Sequence, residues 1–600
     1  MAAVLENSFP EVVPTGGSFL FSDVGSARVV TPENFTEEQR LYHRTALAFC
    51  REQVLPRAEQ IEGKDNALLR ELIQKAGELG LLMIDIPEAY GGLALDKTTS
   101  MLVSEAQSLL GSWSVTFGAH VGIGTLPIVW FGNEAQKTKY LPKLATGELI
   151  AAYALTETGS GSDALGAKTR AVLSADGKHY VLNGSKQFIT NAAFADVYVV
   201  FAKVDGEKFT GFIVDRSTPG LSIGAEEHKM GIRGSSTCAL IFEDAQVPVE
   251  NLLGEIGKGH KIAFNILNMG RLKLGAGVGG AMKAQIGEAL RYATDRKQFQ
   301  TPIFQFPLIR EKFAKMAALS YAIESMTYRT SGLIDARLAG EDKTAKDYDQ
   351  KIIAAIEEYA IESSIMKVAG SESLTTVVDE AVQIHGGYGF IAEYSCERNY
   401  RDQRINRIFE GTNEINRMLI SGMLLKRAMK GQIPLLEAAG SVSEELEKGA
   451  LPRARNDDAL SEEALTAEYL KRMAIYALKV AVETFGPEIE QHQEVLAAVA
   501  DIATDAYALD SMIVRTRQAA SVSKLDEVRL AMLKLYAAEA QTRGLDRARK
   551  AVCASAKGEE LTSHLAKLNL LSRYVPYDPV ALREVVVQAV EAKGGYPLEY

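Results

Sequence analysis

Apolar positions recur every three to four residues along much of this chain, the spacing that lays one stripe on an α-helix. LLRELIQKAGELGLLMI, residues 68–84, shows it well. It follows a helix start at Thr36, where TEEQ forms a capping box: the hydroxyl and Gln39 satisfy orphan amides. Gly91, Gly92, Gly132 and Gly147 mark turns. Near residue 150 the texture changes to short β-branched and aromatic runs: HYVLNGSKQFITNAAFADVYVVFAKV, FTGFIVDRS and TCALIFEDAQVP. Asn183-Gly184, both tolerant of positive φ, predicts a hairpin turn that splits the first run. Long Ala-rich helical patterns return from residue 258, as in KIAFNILNMGRLKLGAGVGGAMKAQIGEALRYATDRK, and suit a closely packed bundle. Residues 433–460 read as a polar linker. Beyond it a helix is expected with Ser461 as N-cap and Gly486 as its stop. Farther on, Leu525, Val528, Met532 and Leu535 share one stripe.

The predicted organisation is α+β and mainly α: a loosely packed arm (1–35), a helical domain (36–150), a β domain (151–257), a helical bundle (258–432), a linker (433–460) and a helical domain (461–600). Six hundred residues exceed one core, so several domains agree with the length. Hydrophobic residues at 47% and charged residues at 24% are ordinary for a globular chain. A net charge of −11 without a basic run argues against a nucleic-acid groove, which needs cations to neutralise phosphate. Cys50, Cys238, Cys396 and Cys553 stand far apart, which points to a reducing compartment, no disulfide framework and no metal site. MAAVLENSFPEVV lacks a cationic region before an apolar run, and no stretch is read as approaching the roughly 18 apolar residues of a spanning helix. The expected location is cytoplasmic.

Gly275, Gly277 and Gly280 match GxGxxG, but the preceding residues are helical in spacing, so this is a packing face and not a dinucleotide loop. YALTETGSGSDALGAKTRA (153–171) and QFITN (187–191) carry more chemistry. Each offers a hydroxyl (Thr156, Thr190) and an aromatic (Tyr153, Phe188), a pairing that brackets a flat ring system. In VQIHGGYGFIAEYSCERNYRDQRINRIFEGTNEINR (382–417), Gly386-Gly387 permits close backbone approach, and His385 beside it reads as structural. Glu410 stands between Ile408-Phe409 and Gly411-Thr412. Apolar neighbours raise a carboxylate's pKa toward the value a general base needs, whereas a solvated helix acid is the alternative these residues leave open.

YALTETGSGSDALGAKTRA, KMGIRGSSTCALIFEDAQVPVENLLG and RDQRINRIFEGTNEINR resemble the acyl-CoA dehydrogenase family, in order, over residues 36–430. The extension, with HQEVLAAVADIATDAYALDSMIVRTRQAAS, is similar to the longer, dimeric very-long-chain branch. The resemblance implies a helical, β, helical fold with a helical extension, and FAD as cofactor. It makes Glu410 the base that takes the α-proton of an acyl-CoA thioester while the β-hydrogen leaves as hydride to the flavin. The family's other location for that base falls on Gly270, which has no carboxylate.

By the same resemblance Tyr153, Leu155, Thr156, Gly161 and Ser162 form the first flavin loop, and Phe188 and Thr190 the second. Arg296 and Phe299 reach the FAD of a neighbouring subunit; Gln383, Gly386 and Gly387 follow the adenosine half; Thr412, Asn413 and Glu414 complete the cofactor contacts. Ser162, Asn268, Arg271 and Gly411 contact acyl-CoA. FGAHVGIG (117–124) aligns with the acyl-pocket wall, where Gly118, Ala119, Gly122 and Gly124 leave room for a long chain or serve close helix packing. The implied reaction is fatty acyl-CoA to trans-2-enoyl-CoA in fatty acid β-oxidation, on medium to long chains, by a homodimer that passes electrons to electron-transferring flavoprotein. An acyl-CoA oxidase and a non-catalytic assembly scaffold are the alternatives. Relatives of the long branch lie on membranes through the extension; here Arg453-Ala454-Arg455 is followed after Asn456 by two aspartates, a weak basic signal.

Overall fold

The computed structural model describes residues 9–10, 12–454, 458–522, 524–573 and 575–598. The capping box forms as read: Thr36 Oγ1 accepts from the Gln39 amide and Gln39 reaches back to the Thr36 amide, opening helix α1 (Glu37–Phe49). Helices α2 (Lys97–Ala106) and α3 (Gly111–Gly118) follow. A π-helical segment, Ala119–Gly124, then leads into α4 (Leu126–Phe131). The span Gly111–Phe131 has a mean hydropathy of 1.3 and is long and apolar enough to cross a membrane, which corrects the expectation of no such stretch. Its apolar surface is spent inside the protein, since 72% of it is buried there.

The β domain is one sheet of eight strands: β1 (Ala151–Ala154), β2 (Arg170–Leu173), β3 (His179–Thr190), β4 (Val197–Val204), β5 (Lys208–Asp215), β6 (Leu221–Ile223), β7 (Thr237–Pro248) and β8 (Leu252–Leu253). Their order is β6-β7-β3-β2-β4-β5-β8, with β1 parallel to β4. Asn183-Gly184 is not a hairpin turn. It sits within β3 as a bulge against β7, where the register shifts between Leu182 and Gly184. Asn183 exchanges hydrogen bonds with Asp244, and a Cβ at Gly184 would fall 2.7 Å from Thr169 Oγ1, so close packing and not reversal selects glycine.

Three long helices build the bundle: α5 (Gly259–Asp295), α6 (Pro307–Leu338) and α7 (Ala360–His385). A two-stranded ribbon, β9 (Lys297–Gln298) with β10 (Thr301–Pro302), follows α5. The GxGxxG glycines lie inside α5 as a packing face: a Cβ on Gly280 would fall 2.2 Å from the Glu105 carbonyl oxygen, and one on Gly275 would press on Met366. Helix α8 (Ser395–Gln403) and a 3₁₀ turn lead to Glu410, and α9 (Asn413–Met429) follows at once.

The extension holds α10 (Leu435–Lys448), α11 (Ser461–Phe485), α12 (Gln493–Val522) and α13 (Glu527–Ser555). Helix α10 fills half of the expected linker, because Leu435, Ala439, Val442 and Leu446 form a buried stripe. Ser461 is the first helical residue and not the cap; Gly486 ends α11 as expected, with positive φ. Leu525 precedes α13, whose cap is Asp526.

Over its described residues the N-terminal arm is not loose; residues 1–8 and 11 of the expected arm lie outside the described residues. Gly16 and Gly17 amides donate to Glu358 (2.8 Å) and Glu362 (2.7 Å), and Val24, Gly25 and Val29 amides donate to Glu468, Asp510 and Gln518. Phe19 and Leu20 are buried. The arm is a strap across bundle and extension, and it lacks a period because its partners lie in other elements.

Candidate active site

Glu410 takes φ +58°, a left-handed conformation rare for a residue with a side chain, and Gly411 follows at +79°. Such strain persists only where the surroundings impose it. Here Arg271 Nε (3.1 Å) and Asn416 Nδ2 (3.3 Å) both donate to the Glu410 carbonyl, and Asn416 also reaches the carbonyls of Gly411 and Thr412. Arg271 Nη1 donates to Asn268 Oδ1 at 2.8 Å. Asn268 and Arg271 thus brace the backbone of Glu410. Thr412 Oγ1 accepts from the Ile415 amide and caps α9.

The carboxylate itself is treated differently. Its Oε2 is buried and has no hydrogen-bond partner among the described residues. An ideal Cβ on Gly270 would lie 2.5 Å from that oxygen, so α5 passes so closely under the carboxylate that any larger residue there would have to push it aside. Burial pushes Glu410 up to about 7, against the opposing charges of Arg271 and Lys367. Burial likewise drives Arg271 down to about 10. Tyr153 is buried, its hydroxyl without a hydrogen-bond partner among the described residues and its pKa raised by burial and then by the charge of Glu410.

Glu410 and Thr190 line a cavity of about 200 Å³. One face of α5, from Gly270 through Leu274, Gly277 and Ala281 to Gln285, forms a wall of it. The fifteen helical rises from Gly270 to Gln285 span about 22 Å, so the cavity runs deep. Gly118, Ala119 and Gly122 line it too. A Cβ on Gly118 would meet nothing within 4 Å, and one on Gly122 only Lys273 Cδ at 3.8 Å. Gly124 departs from that role: its Cβ would fall 2.8 Å from the Ala151 Cβ, so it serves close packing on β1. His120 anchors the π-helical turn, accepting the Ala151 amide at Nδ1 (3.1 Å) and donating from Nε2 to the Leu144 carbonyl (3.0 Å); burial pulls its pKa to about 4. Phe409 lines the cavity, while Ile408 is half-exposed and does not.

The two loops expected to bracket a ring are tied together by the Gln187 amide, which donates to the Thr156 carbonyl at 2.9 Å. Lys186, fully buried, donates to the Leu155 carbonyl (3.2 Å) and to Glu157 (2.7 Å), whose carboxylate also takes the Lys168 and Thr169 amides. On this rigid base Phe188 stands 60% exposed with φ +60°, and Gly161 and Ser162 lie open. An exposed aromatic face beside two threonine hydroxyls fits a flat ligand with polar edges. Arg296, Gly386 and Gly387 gather in a second pocket with Tyr292, His385 and Tyr388. His385 stacks on Tyr292 at 4.2 Å and bonds the Ala381 carbonyl, a structural role. Gln383 is exposed near that pocket, and Phe299 stands 90% exposed on the β9–β10 turn. Glu414 is exposed in the first turn of α9. Asn413 corrects the expectation: its amide is buried among Lys367, Ser371 and Glu372 and is not presented to a ligand.

Family models for the N-terminal, middle and C-terminal domains of acyl-CoA dehydrogenases match residues 36–148, 152–245 and 257–425, and a further C-terminal domain model matches 469–569. The chain is 49% identical over 587 residues to a probable acyl-CoA dehydrogenase of Bacillus subtilis, covering 97% of both.

The chain belongs to the acyl-CoA dehydrogenase family.

A very long-chain specific acyl-CoA dehydrogenase of Rattus norvegicus is 38% identical over 490 residues, 76% of this chain and 70% of that one. The crystal structure of an acyl-CoA dehydrogenase complexed with FAD from Bacillus anthracis superposes with a TM-score of 0.94 at 47% identity, over 97% of this chain and all of that one. Within this family fold, the residues that sequence reasoning missed are Lys367, His120 and the Lys186–Glu157 pair. A lone lysine in the apolar run SSIMKVAG was the one available signal for the first.

Proposed function

We propose that this protein is an FAD-dependent acyl-CoA dehydrogenase that converts medium- to long-chain fatty acyl-CoA into trans-2-enoyl-CoA in fatty acid β-oxidation. The observation that carries the reading is the deep cavity with the Glu410 carboxylate at one end, seated over Gly270. FAD, held by the Tyr153–Ser162 and Phe188–Thr190 loops, supplies the hydride acceptor for the β-hydrogen. Glu410 takes the α-proton, and its poise near neutral pH matches a base that must be ionised in the cell yet basic enough to act. Its backbone N–H holds the thioester oxygen, which polarises the carbonyl and acidifies the α-carbon. Ser162 and Gly411 sit against the acyl-CoA, and Arg271 with Asn268 keeps the base's backbone in place.

Length preference follows from the open space at Gly118 and Gly122 and from the reach along α5. On this reading Arg296 and Phe299, exposed at the ribbon, reach the FAD of a second subunit, Gln383 with Gly386 and Gly387 follows the adenosine half, and Thr412 and Glu414 complete the contacts after the base. Electrons pass to electron-transferring flavoprotein. The test is anaerobic bleaching of the flavin by acyl-CoA thioesters from short to very long. Bleaching that is strong for long chains is expected in wild type, and a bulky Gly122→Phe variant should shift the optimum to shorter ones. No bleaching by any chain would overturn the reading.

A further inference from the structure

Lys367 lies on α7 and is wholly buried. Among the described residues its ammonium donates to one acceptor, Asn413 Oδ1 at 2.6 Å, and makes no ion pair. The amide cannot be turned the other way. Asn413 Nδ2 already donates to Ser371 Oγ (3.0 Å) and Glu372 Oε1 (2.8 Å), so its oxygen must face the lysine. Asn413 opens α9, three residues after Glu410, so this bond fastens a buried cation to the segment that carries the base.

Resting on the assignment of Glu410 as base, we propose that Lys367 is a positioning residue that sets the ionisation of Glu410 by its charge, held in register by Asn413.

The other charges around the pair are accounted for. Glu410 is faced by Arg271 from α5, Lys367 from α7 and the Tyr153 hydroxyl from β1. Lys367 is faced by Arg271, by Glu410 and Glu414 on the α9 side, and by Glu372 on its own helix. Arg271 is committed to the Glu410 carbonyl and to Asn268 and keeps its charge over the working range. Burial, with Arg271 next, pushes Lys367 down to about 7, so it is the cation beside the base that titrates in the base's own range. The register is held from outside the site as well. Glu372 faces Arg407 (3.4 Å) and Arg417 (3.7 Å), and Arg417 bonds Asp501 of the extension at 2.7 Å.

The experiment is the pH dependence of anaerobic flavin reduction by a long-chain acyl-CoA in the holoenzyme, for wild type, Lys367→Gln, Lys367→Met and Lys367→Arg. Lys367→Gln keeps a donor for Asn413 and removes the charge. In it, as in Lys367→Met, the rising limb should move up by about one pH unit. The rate at pH 6 then falls about tenfold and the rate at pH 9 stays within about twofold. Lys367→Arg should restore the limb. An infrared titration gives a readout besides turnover: the protonated-carboxyl band that Glu410→Gln abolishes should persist to higher pH in Lys367→Gln. A limb and a band left where wild type has them, with rates lowered equally at every pH, would overturn the proposal and make Lys367 a purely structural residue. Wild-type reduction in Glu410→Gln would instead overturn the assignment of the base.

Discussion

Two regions of this protein bury several charges each and treat them in opposite ways. At the seam between core and extension, Glu33 lies between Arg515 (3.0 Å) and Arg529 (2.9 Å). Arg515, 1% exposed, also bonds Glu324 (2.5 Å), which takes Lys283 and the Tyr596 hydroxyl, and Lys283 continues to Glu105 (2.7 Å). Burial alone would raise Glu33, but the two guanidinium groups outweigh it and hold the carboxyl at about 2. At the candidate active site the signs reverse. Glu410 is pushed up to about 7, Arg271 down to about 10 and Lys367 down to about 7, each with burial as the leading cause. The seam pairs its charges and fixes them in one state. Among the described residues the site gives the Glu410 and Lys367 side chains no ion-pair partner, which leaves these two able to change state near neutral pH, as a proton-transfer group must, while Arg271 stays charged.

The largest contrast is expected from Glu410→Gln. Loss of a general base lowers turnover by about 10²–10⁴-fold, while the fold is not weakened. The sign is opposite to the usual carboxylate. With a folded pKa near 7 against an ordinary 4.5, Glu410 costs stability as pH rises from 4.5 to 7, and the cost persists above. Glu410→Gln should therefore melt at the same or a higher temperature than wild type at pH 8, with no gain at pH 4.5; a marked drop at pH 8 would break the comparison.

Arg515→Met is the mirror case. It strands buried carboxylates and should destabilise by about 3–5 kcal/mol in denaturant unfolding, with the flavin still bleached at close to the normal rate in the folded fraction. Gly270→Ala sharpens the boundary between the regions. The added methyl must displace the Glu410 carboxylate, and a shift of this order costs roughly 10²-fold in rate, whereas alanine inside α5 favours the helix by up to about 1 kcal/mol. The smallest effect is on acid stability. The Glu33 contribution is full above pH 4.5 and lost as pH falls toward about 2, and Glu33→Gln should flatten the melting curve in that window.

How much of this was legible follows the same division. Periodicity located the helices, because a buried stripe is a local property, and it dismissed GAGVGG correctly because what surrounds it is helical. It misread Asn183-Gly184, where Thr169 on a neighbouring strand and not the local sequence demands glycine. It also misread the N-terminal strap, whose amides are satisfied by acids hundreds of residues away. Glu410 could be suspected from Phe409 and Gly411, but two facts that define it are tertiary: the glycine of α5 beneath its carboxylate and the arginine and asparagine on its carbonyl. Lys367 shows in sequence only as a lone lysine in SSIMKVAG, with no hint of its role, for the same reason. A buried lysine gains meaning only once the fold sets Asn413 on its ammonium.

The central claim is that Glu410 is a base poised near neutrality by burial without a partner. The most direct measurement is the rate of anaerobic flavin bleaching by a long-chain acyl-CoA, followed in wild type from pH 5 to 9. The rate should rise about tenfold per pH unit up to about 7 and then level, and Glu410→Gln should hold its FAD and bleach about 10²–10⁴-fold more slowly than the wild-type plateau. A limb near pH 4.5, or bleaching in Glu410→Gln at the wild-type rate, would contradict it.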